Sequence, residues 1–323
     1  MRQARQQLLS RVDIQEPIAT VIRDIASHYR LGRVRATRLI RTGYDDLNVL
    51  LDCDAGRYIV KLFNRAKSLA AIQDHAQVQL ALYRAGQPVP RVLAVDGETL
   101  YRIPGHSQNT YACVTEFFTG HDFTRHRPQR GDLLAVVRLL AALHRLPLII
   151  TPNYDAWGTL NLPHEFQRAR QNICAETARL VAPLADAVGD INFGNARRSV
   201  IHGDLQRKHV LKNDSGRLCV LDFGCMDYSY PVVDLGVFLA LFCLESSEVD
   251  HARTLIGDVL AAYTNEASLP AQHIAPLSTL IRATWAAYLL ASEMRLRQGD
   301  RSAQTHEWHR FALVNLNAFD GLL

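Results

Sequence analysis

Apolar and polar positions change their rhythm along this chain. An amphipathic stretch from about Ile18 to Tyr29 predicts an opening helix, and the strand-like runs RVRATRLIRTG, LNVLLDCD and RYIVKLF follow it. Asp54-Ala55-Gly56 is a hairpin signal between the last two runs. A helix is expected over Ser68 to Arg84, and then GQPVPRVLAV, whose two prolines enforce an extended path. Another strand, TYACVTEFF, ends at Thr119-Gly120. Beyond Arg130 the period becomes helical. DLLAVVRLLAALHRLP is stopped by Pro147, and EFQRARQNICAETARLVAPLADAV reads as one long helix. PVVDLGVFLALFCLES, the segment from Ala252 to Asn265, IAPLSTLIRATWAAYLLASEMRLRQG and a last helix ending near Phe319 complete the series. The pattern predicts an α+β protein of two lobes. A small antiparallel-sheet lobe spans 1–117, a larger mainly helical lobe spans 118–323, and a hinge lies at about 115–120, where a ligand cleft is expected.

Composition narrows the class without naming a function. The 323 residues are 48% hydrophobic and 21% charged, with a net charge of +4. That charge is too small and scattered to suggest a nucleic-acid or membrane partner. Cysteines at 53, 113, 174, 219, 225 and 243 show no C-x-x-C spacing, so buried free thiols of a reducing cytoplasm are expected. The N-terminus lacks the apolar core of a signal peptide, and no run of 18 apolar residues predicts a membrane span. A soluble cytoplasmic protein is the expectation; oligomeric state is not specified. Among 36 basic residues lysine occurs at 61, 67, 208 and 212 alone, which makes each lysine at a special position more informative.

Candidate chemistry concentrates in IHGDLQRKHVLKNDSGRLCVLDFG, Ile201 to Gly224. Two short strands, Val210 to Lys212 and Arg217 to Phe223, are predicted around the turn Asn213-Asp214-Ser215-Gly216. Asp204 before the first strand and Asp222 at the end of the second then reach the same hairpin edge. One carboxylate to take a hydroxyl proton and another to hold a metal on nucleotide phosphates are the minimal apparatus of phosphoryl transfer. Lys61, in the apolar strand YIVKLF, is a cation that needs an anion to meet.

Taken together, His202-Gly203-Asp204, His209, Asp222-Phe223-Gly224 and Asp234-Leu235 resemble the aminoglycoside phosphotransferase and choline kinase family. These are small-molecule kinases with a protein-kinase-like fold, and the likeness covers nearly the whole chain in order. GYDDLN, YIVKLF and DFGCMDYSYPVVDLG look closest to the hydroxylysine-kinase-like branch. The resemblance implies Asp204 as catalytic base, Asp222 as principal metal ligand and Lys61 on the α/β-phosphates. It also implies Gly43 to Asn48 as a phosphate-covering turn, Glu116 to Phe118 as the adenine-binding hinge, and His202 and Asp234 as braces of the catalytic loop. The implied cofactors are ATP and Mg2+, and the implied partner is a small hydroxylated acceptor: an amino alcohol, a hydroxylated amino acid, a sugar or an aminoglycoside.

Two positions depart from the family pattern. His209 stands where the family has an asparagine metal ligand, which brings Mn2+ into consideration beside Mg2+. The lipopolysaccharide-core sugar kinases resemble H-x-D-x-x-x-x-H at this place. The helix after Lys61 lacks the usual glutamate, leaving Asp74, His75, Gln77 and Gln79 as candidate partners. Both departures keep open an alternative, a kinase-fold nucleotide-binding pseudoenzyme. Transfer of a nucleotidyl group to a protein uses similar residues and stays open too. His144 reads as a helix-packing histidine. Gln206 and Lys208 read as either substrate contacts or a solvated loop. Trp285, Tyr288, Glu293, Trp308 and Phe311 read as core more than cage.

Overall fold

A computed structural model describes residues 9–40, 46–105 and 108–321 and divides the chain into two compact units. The first holds the described residues up to His121 together with Leu211–Leu221. Helix α1 (Ile18–His28) precedes strands β1 (Val34–Ile40), β2 (Leu47–Cys53) and β3 (Gly56–Leu62), then helix α2 (Leu69–Arg84), β4 (Leu100–Ile103) and β5 (Thr110–Glu116). The strands form one antiparallel sheet in the order β1-β2-β3-β5-β4. Strand β2 alternates cleanly. Leu47, Val49, Leu51 and Cys53 are buried and pack with Val21, Ile22, Ile25 and Ala26 of α1. Cys53 pairs with Gly56, so the Asp54-Ala55-Gly56 signal closes a hairpin as expected. The proline-bearing stretch is extended along β5, with Leu93 N–H donating to Val114 O. Strand β4 was not anticipated, because four residues ending before Pro104 are too short a run to show a period.

The second unit comprises Asp122–Val210 and the described residues from Asp222 onward, 222–321. Its helices are α3 (Arg130–His144), α4 (Leu162–Ala169) and α5 (Ala175–Gly189). After the short strands treated below come α6 (Pro231–Phe238), α7 (Ala252–Thr264), α8 (Leu277–Arg297) and α9 (Ala303–Ala318). Helix α8 is the axis of the unit. Leu280, Ile281, Trp285 and Leu289 are fully buried in it. By length and composition Ala271–Arg297 would suffice to cross a membrane, yet 61% of its apolar window is buried inside this unit. Helix α6 packs so closely on α8 that a Cβ on Gly236 would come within 2.9 Å of Leu280 Cβ.

The single long helix expected from EFQRARQNIC onward is two. The chain breaks between α4 and α5 because Glu293 of α8 reaches in. Its Oε1 accepts Cys174 N–H at 2.7 Å, and Cys174 becomes the N-cap of α5, which leaves it exposed where a buried thiol is expected. A carboxylate from a helix over a hundred residues away leaves no trace in the local period.

Trp285 joins this core to its neighbours: its ring stacks on Phe319 at 5.0 Å and Nε1 donates to Ala240 O at 2.9 Å. Trp285→Ala removes the largest fully buried side chain and its hydrogen bond to that carbonyl. It is expected to cost about 3–5 kcal/mol in a denaturant titration; a loss below about 1 kcal/mol would contradict this account of the core.

Candidate active site

The site in the second unit is built on strand pairing. Strand β6 (Ser199–Ile201) pairs antiparallel with β9 (Asp227–Ser229), Ile201 opposite Asp227. The loop leaving β6, His202 to His209, therefore lies beside the turn that leads into β9. At Gly203 the two meet: φ is +78°, and a Cβ there would fall 2.3 Å from Cys225 O. In the sequence between loop and turn stands the hairpin of β7 (Val210–Lys212) and β8 (Leu218–Val220), whose turn is held by Asn213 Oδ1 accepting Ser215 and Arg217 N–H. Strand β8 is shorter than the expected Arg217 to Phe223. It stops because Asp222 turns to the left-handed region (φ 63°, ψ 65°), and Phe223–Cys225 coil into one tight turn. A non-glycine residue holds such a conformation only where its surroundings impose it. Phe223 is buried against His202, ring centroids 4.9 Å apart.

Asp234 braces the loop. Its carboxylate, 0% exposed, accepts His202 N–H at 2.7 Å and Gly203 N–H at 2.9 Å, and His144 Nε2 lies 3.0 Å from Oδ2. His144 Nδ1 is 2.8 Å from Tyr263 Oη. His144 is thus a partner of the brace, where the sequence suggested only helix packing. Burial opposes ionisation of Asp234, but His144 and the loop amides outweigh it and hold the carboxyl below the ordinary range.

Asp204 follows two residues on. Gln206 Nε2 donates to its Oδ1 at 2.7 Å and Tyr288 Oη to the same atom at 2.5 Å. Burial raises its pKa to about 6, against the pull of Lys208 and the Tyr288 hydrogen bond. His209 stands between the two acids: Nδ1 is 2.7 Å from Asp204 O, and Nε2 is 3.4 Å from Asp222 Oδ2. A carbonyl only accepts, so the Nδ1 proton points at it, and Nε2 is left facing a carboxylate oxygen. Two acceptors face to face need a proton or a cation between them. A proton on Nε2 would make this contact an ion pair; a divalent cation bound here would be held by Asp222 and His209. Among the described residues no group of three or more His, Cys, Asp or Glu is arranged to hold a metal alone, so the rest of the shell would come from phosphate oxygens and water.

In the first unit Lys61 pairs across strands with Asn48 and Cys113. Its described ion pair is with Asp46 at 3.4 Å, a partner outside the set Asp74, His75, Gln77 and Gln79 that the sequence offered. Asp46 is buried. Oδ2 also meets Lys67 Nζ at 3.0 Å, and Oδ1 accepts Asn64 N–H at 2.9 Å. Its pKa is lowered, burial being outweighed by the two ammonium groups. Asp46 stood in the GYDDLN motif, but nothing local showed that it would turn back to Lys61. Gly43 lies outside the described residues. At the expected hinge, Glu116 N–H donates to Arg91 O and Phe117 N–H to Arg57 O.

Residues 36–273 match the phosphotransferase enzyme family, APH. The chain belongs to this family. It is therefore a small-molecule kinase that moves a phosphoryl group to an alcohol hydroxyl, on a protein-kinase-like fold. It is similar to the homoserine kinase of Methylocella silvestris, 28% identical over 276 residues, 79% of either chain. The microcompartment-associated aminopropanol kinase shares the fold at a TM-score of 0.68, with 16% identity over 94% of this chain and 99% of that one. So does the amicoumacin kinase solved with AMP-PNP, Ca2+ and Ami, at 0.69 and 14%, over 93% of each chain. The hydroxylysine-kinase-like branch expected from the motifs is not singled out by these likenesses.

Because the Asp234 carboxyl is held below its unfolded range, its contribution to stability is full above about pH 4 and is lost as pH falls through the folded value. Asp234→Ala is expected to cost about 3–5 kcal/mol near neutrality. The gap to wild type should narrow as denaturation is repeated at lower pH; a gap that stays constant down to about pH 2 would refute the charged brace.

Proposed function

We propose that this APH-family enzyme transfers the γ-phosphoryl group of ATP to the hydroxyl of a small hydroxylated amino acid of the homoserine type. The observation that carries the reading is Asp204, a largely buried carboxylate whose Oδ1 is held by neutral donors, beside the His209–Asp222 pair. Asp204 takes the acceptor proton as the acceptor oxygen meets the γ-phosphorus. Lys61, steadied by Asp46, binds the α/β-phosphates; Asn48 and the turn containing Gly43 cover them. Glu116 and Phe118 serve adenine. In this reading 1–117 binds nucleotide and 118–323 binds acceptor and carries the chemistry. Asp222 and His209 would hold the divalent ion, which would supply neutralisation of phosphate charge. An imidazole nitrogen in the set favours a first-row ion, so Mn2+ is expected to support turnover at least as well as Mg2+.

Two observations support an amino-acid acceptor. The curated relative is named a homoserine kinase. Lys208, whose charge acts on Asp204, rests 5.2 Å over the Trp308 ring, where its ammonium suits an acceptor carboxylate.

The test is turnover with ATP across L-homoserine, aminopropanol, choline, a hexose and an aminoglycoside. L-Homoserine is expected to give the highest kcat/KM, and a preference for an uncharged sugar would defeat the amino-acid reading. Asp204→Asn should lower kcat by about a thousandfold while nucleotide binding survives. The free-enzyme carboxyl at about 6 sets the acid limb: kcat/KM should fall about tenfold per pH unit below about 6. A profile flat to pH 5 would remove Asp204 from the base role.

A further inference from the structure

Resting on the reading of Asp204 as the acceptor base, we infer that Tyr288 is a positioning residue which, with Gln206, clamps Oδ1 of Asp204 and so assigns Oδ2 to the acceptor hydroxyl. The two donors come from different elements, Tyr288 from α8 and Gln206 from the loop itself, yet both end on one oxygen. A carboxylate free to rotate about χ2 would spread them over both oxygens.

Each donor is committed at a cost to itself. Gln206 is buried, and its Oε1 has no hydrogen-bond partner among the described residues. A buried amide that leaves its own acceptor bare in order to give Nε2 to Asp204 is placed by that bond. Tyr288 is 6% exposed, and burial followed by the nearby Asp204 charge keeps its hydroxyl protonated, so it can only donate to the carboxylate. Its ring is wedged edge-on between Trp157 and Trp308, both centroids 5.0 Å away at 73° and 70°. Two tryptophans give the ring one available orientation. The wedge belongs to the second unit and acts on no group other than Asp204 among the bonds described for Tyr288.

Oδ2 lies on the other side, 3.7 Å from His209 Nδ1. In the transfer step the acceptor O–H proton passes to Oδ2 as the acceptor oxygen bonds to the γ-phosphorus and the bond from that phosphorus to the β,γ-bridging oxygen breaks. ADP leaves and the proton later returns to solvent. Were Oδ1 released, the carboxylate could turn, and the hydroxyl would lose its aligned partner. Misalignment of this size acts on kcat far more than on binding.

The experiment compares wild type with Tyr288→Phe, Asp204→Asn and the double variant, using ATP and the best acceptor of the panel above. Tyr288→Phe is expected to lower kcat about ten- to hundredfold with both KM values within about threefold. In the Asp204→Asn background the same change should add nothing. Unchanged kcat in Tyr288→Phe, or a loss carried by acceptor KM, would overturn the inference. An active Asp204→Asn would sink the base reading instead, so the two failures are distinguishable. If Tyr288→Phe does not fold, Gln206→Leu removes the other donor and is expected to give the same kcat-only loss; wild-type kcat there overturns the clamp. A readout that needs no acceptor is the ring carbon of labelled tyrosine. The Tyr288 Cζ resonance, assigned by its loss in Tyr288→Phe, should move in Asp204→Asn, and a resonance that stays in place counts against the bond.

Discussion

The geometry of the second unit depends on one fully buried carboxylate. Asp234 takes two consecutive backbone amides of the loop after β6 and a histidine from α3. An ion taken out of water is tolerated only where its lone pairs are met, and each lone pair met here fixes a piece of chain. His202 and Gly203 are held by their backbone, so Asp204, the next residue, has its Cα placed before its side chain makes any contact. Gly203 allows the turn to approach the Cys225 carbonyl because no Cβ stands in the way. Rigid backbone first and aimed side chain second is how a loop acquires the precision of a helix.

Three aspartates then show how surroundings set one side chain to different tasks. Asp46 and Asp234 are buried, yet their carboxyls are held below the ordinary range, because ammonium groups in one case and a histidine with backbone amides in the other outweigh desolvation. Asp204 is shifted the opposite way, to about 6, because burial dominates, its closest donors are neutral and a second carboxylate, Asp222, lies near. The two depressed groups are suited to hold structure, and the raised one is suited to take a proton.

His209 resolves into two distinct ends. Its Nδ1 is occupied by the Asp204 carbonyl, which settles the tautomer by elementary hydrogen-bond logic, and its Nε2 is turned to Asp222. An asparagine at that place would present an oxygen on the side facing Asp222 and an amide to the carbonyl. Histidine reproduces the same division of donor and acceptor with nitrogen in both places. The departure from the family pattern therefore keeps the division of donor and acceptor while it puts nitrogen where the family has oxygen.

What sequence alone determined is what local periods and short motifs can encode. The alternation in β2, the Asp54-Ala55-Gly56 hairpin, the helical series and the ordered motifs around Asp204, Asp222 and Lys61 were legible because each is set by residues a few positions apart. The split of the helix at Cys174, the partnership of Lys61 with Asp46, the tie of His144 to Asp234 and the reach of Tyr288 to Asp204 were decided by tertiary structure. Each joins groups separated by 15 to 119 positions, and a polar side chain carries no local sign of which distant partner will satisfy it. Apolar burial is repetitive and so can be read as a rhythm; a hydrogen bond is a single directed event that exists only once the chain has brought its two ends together.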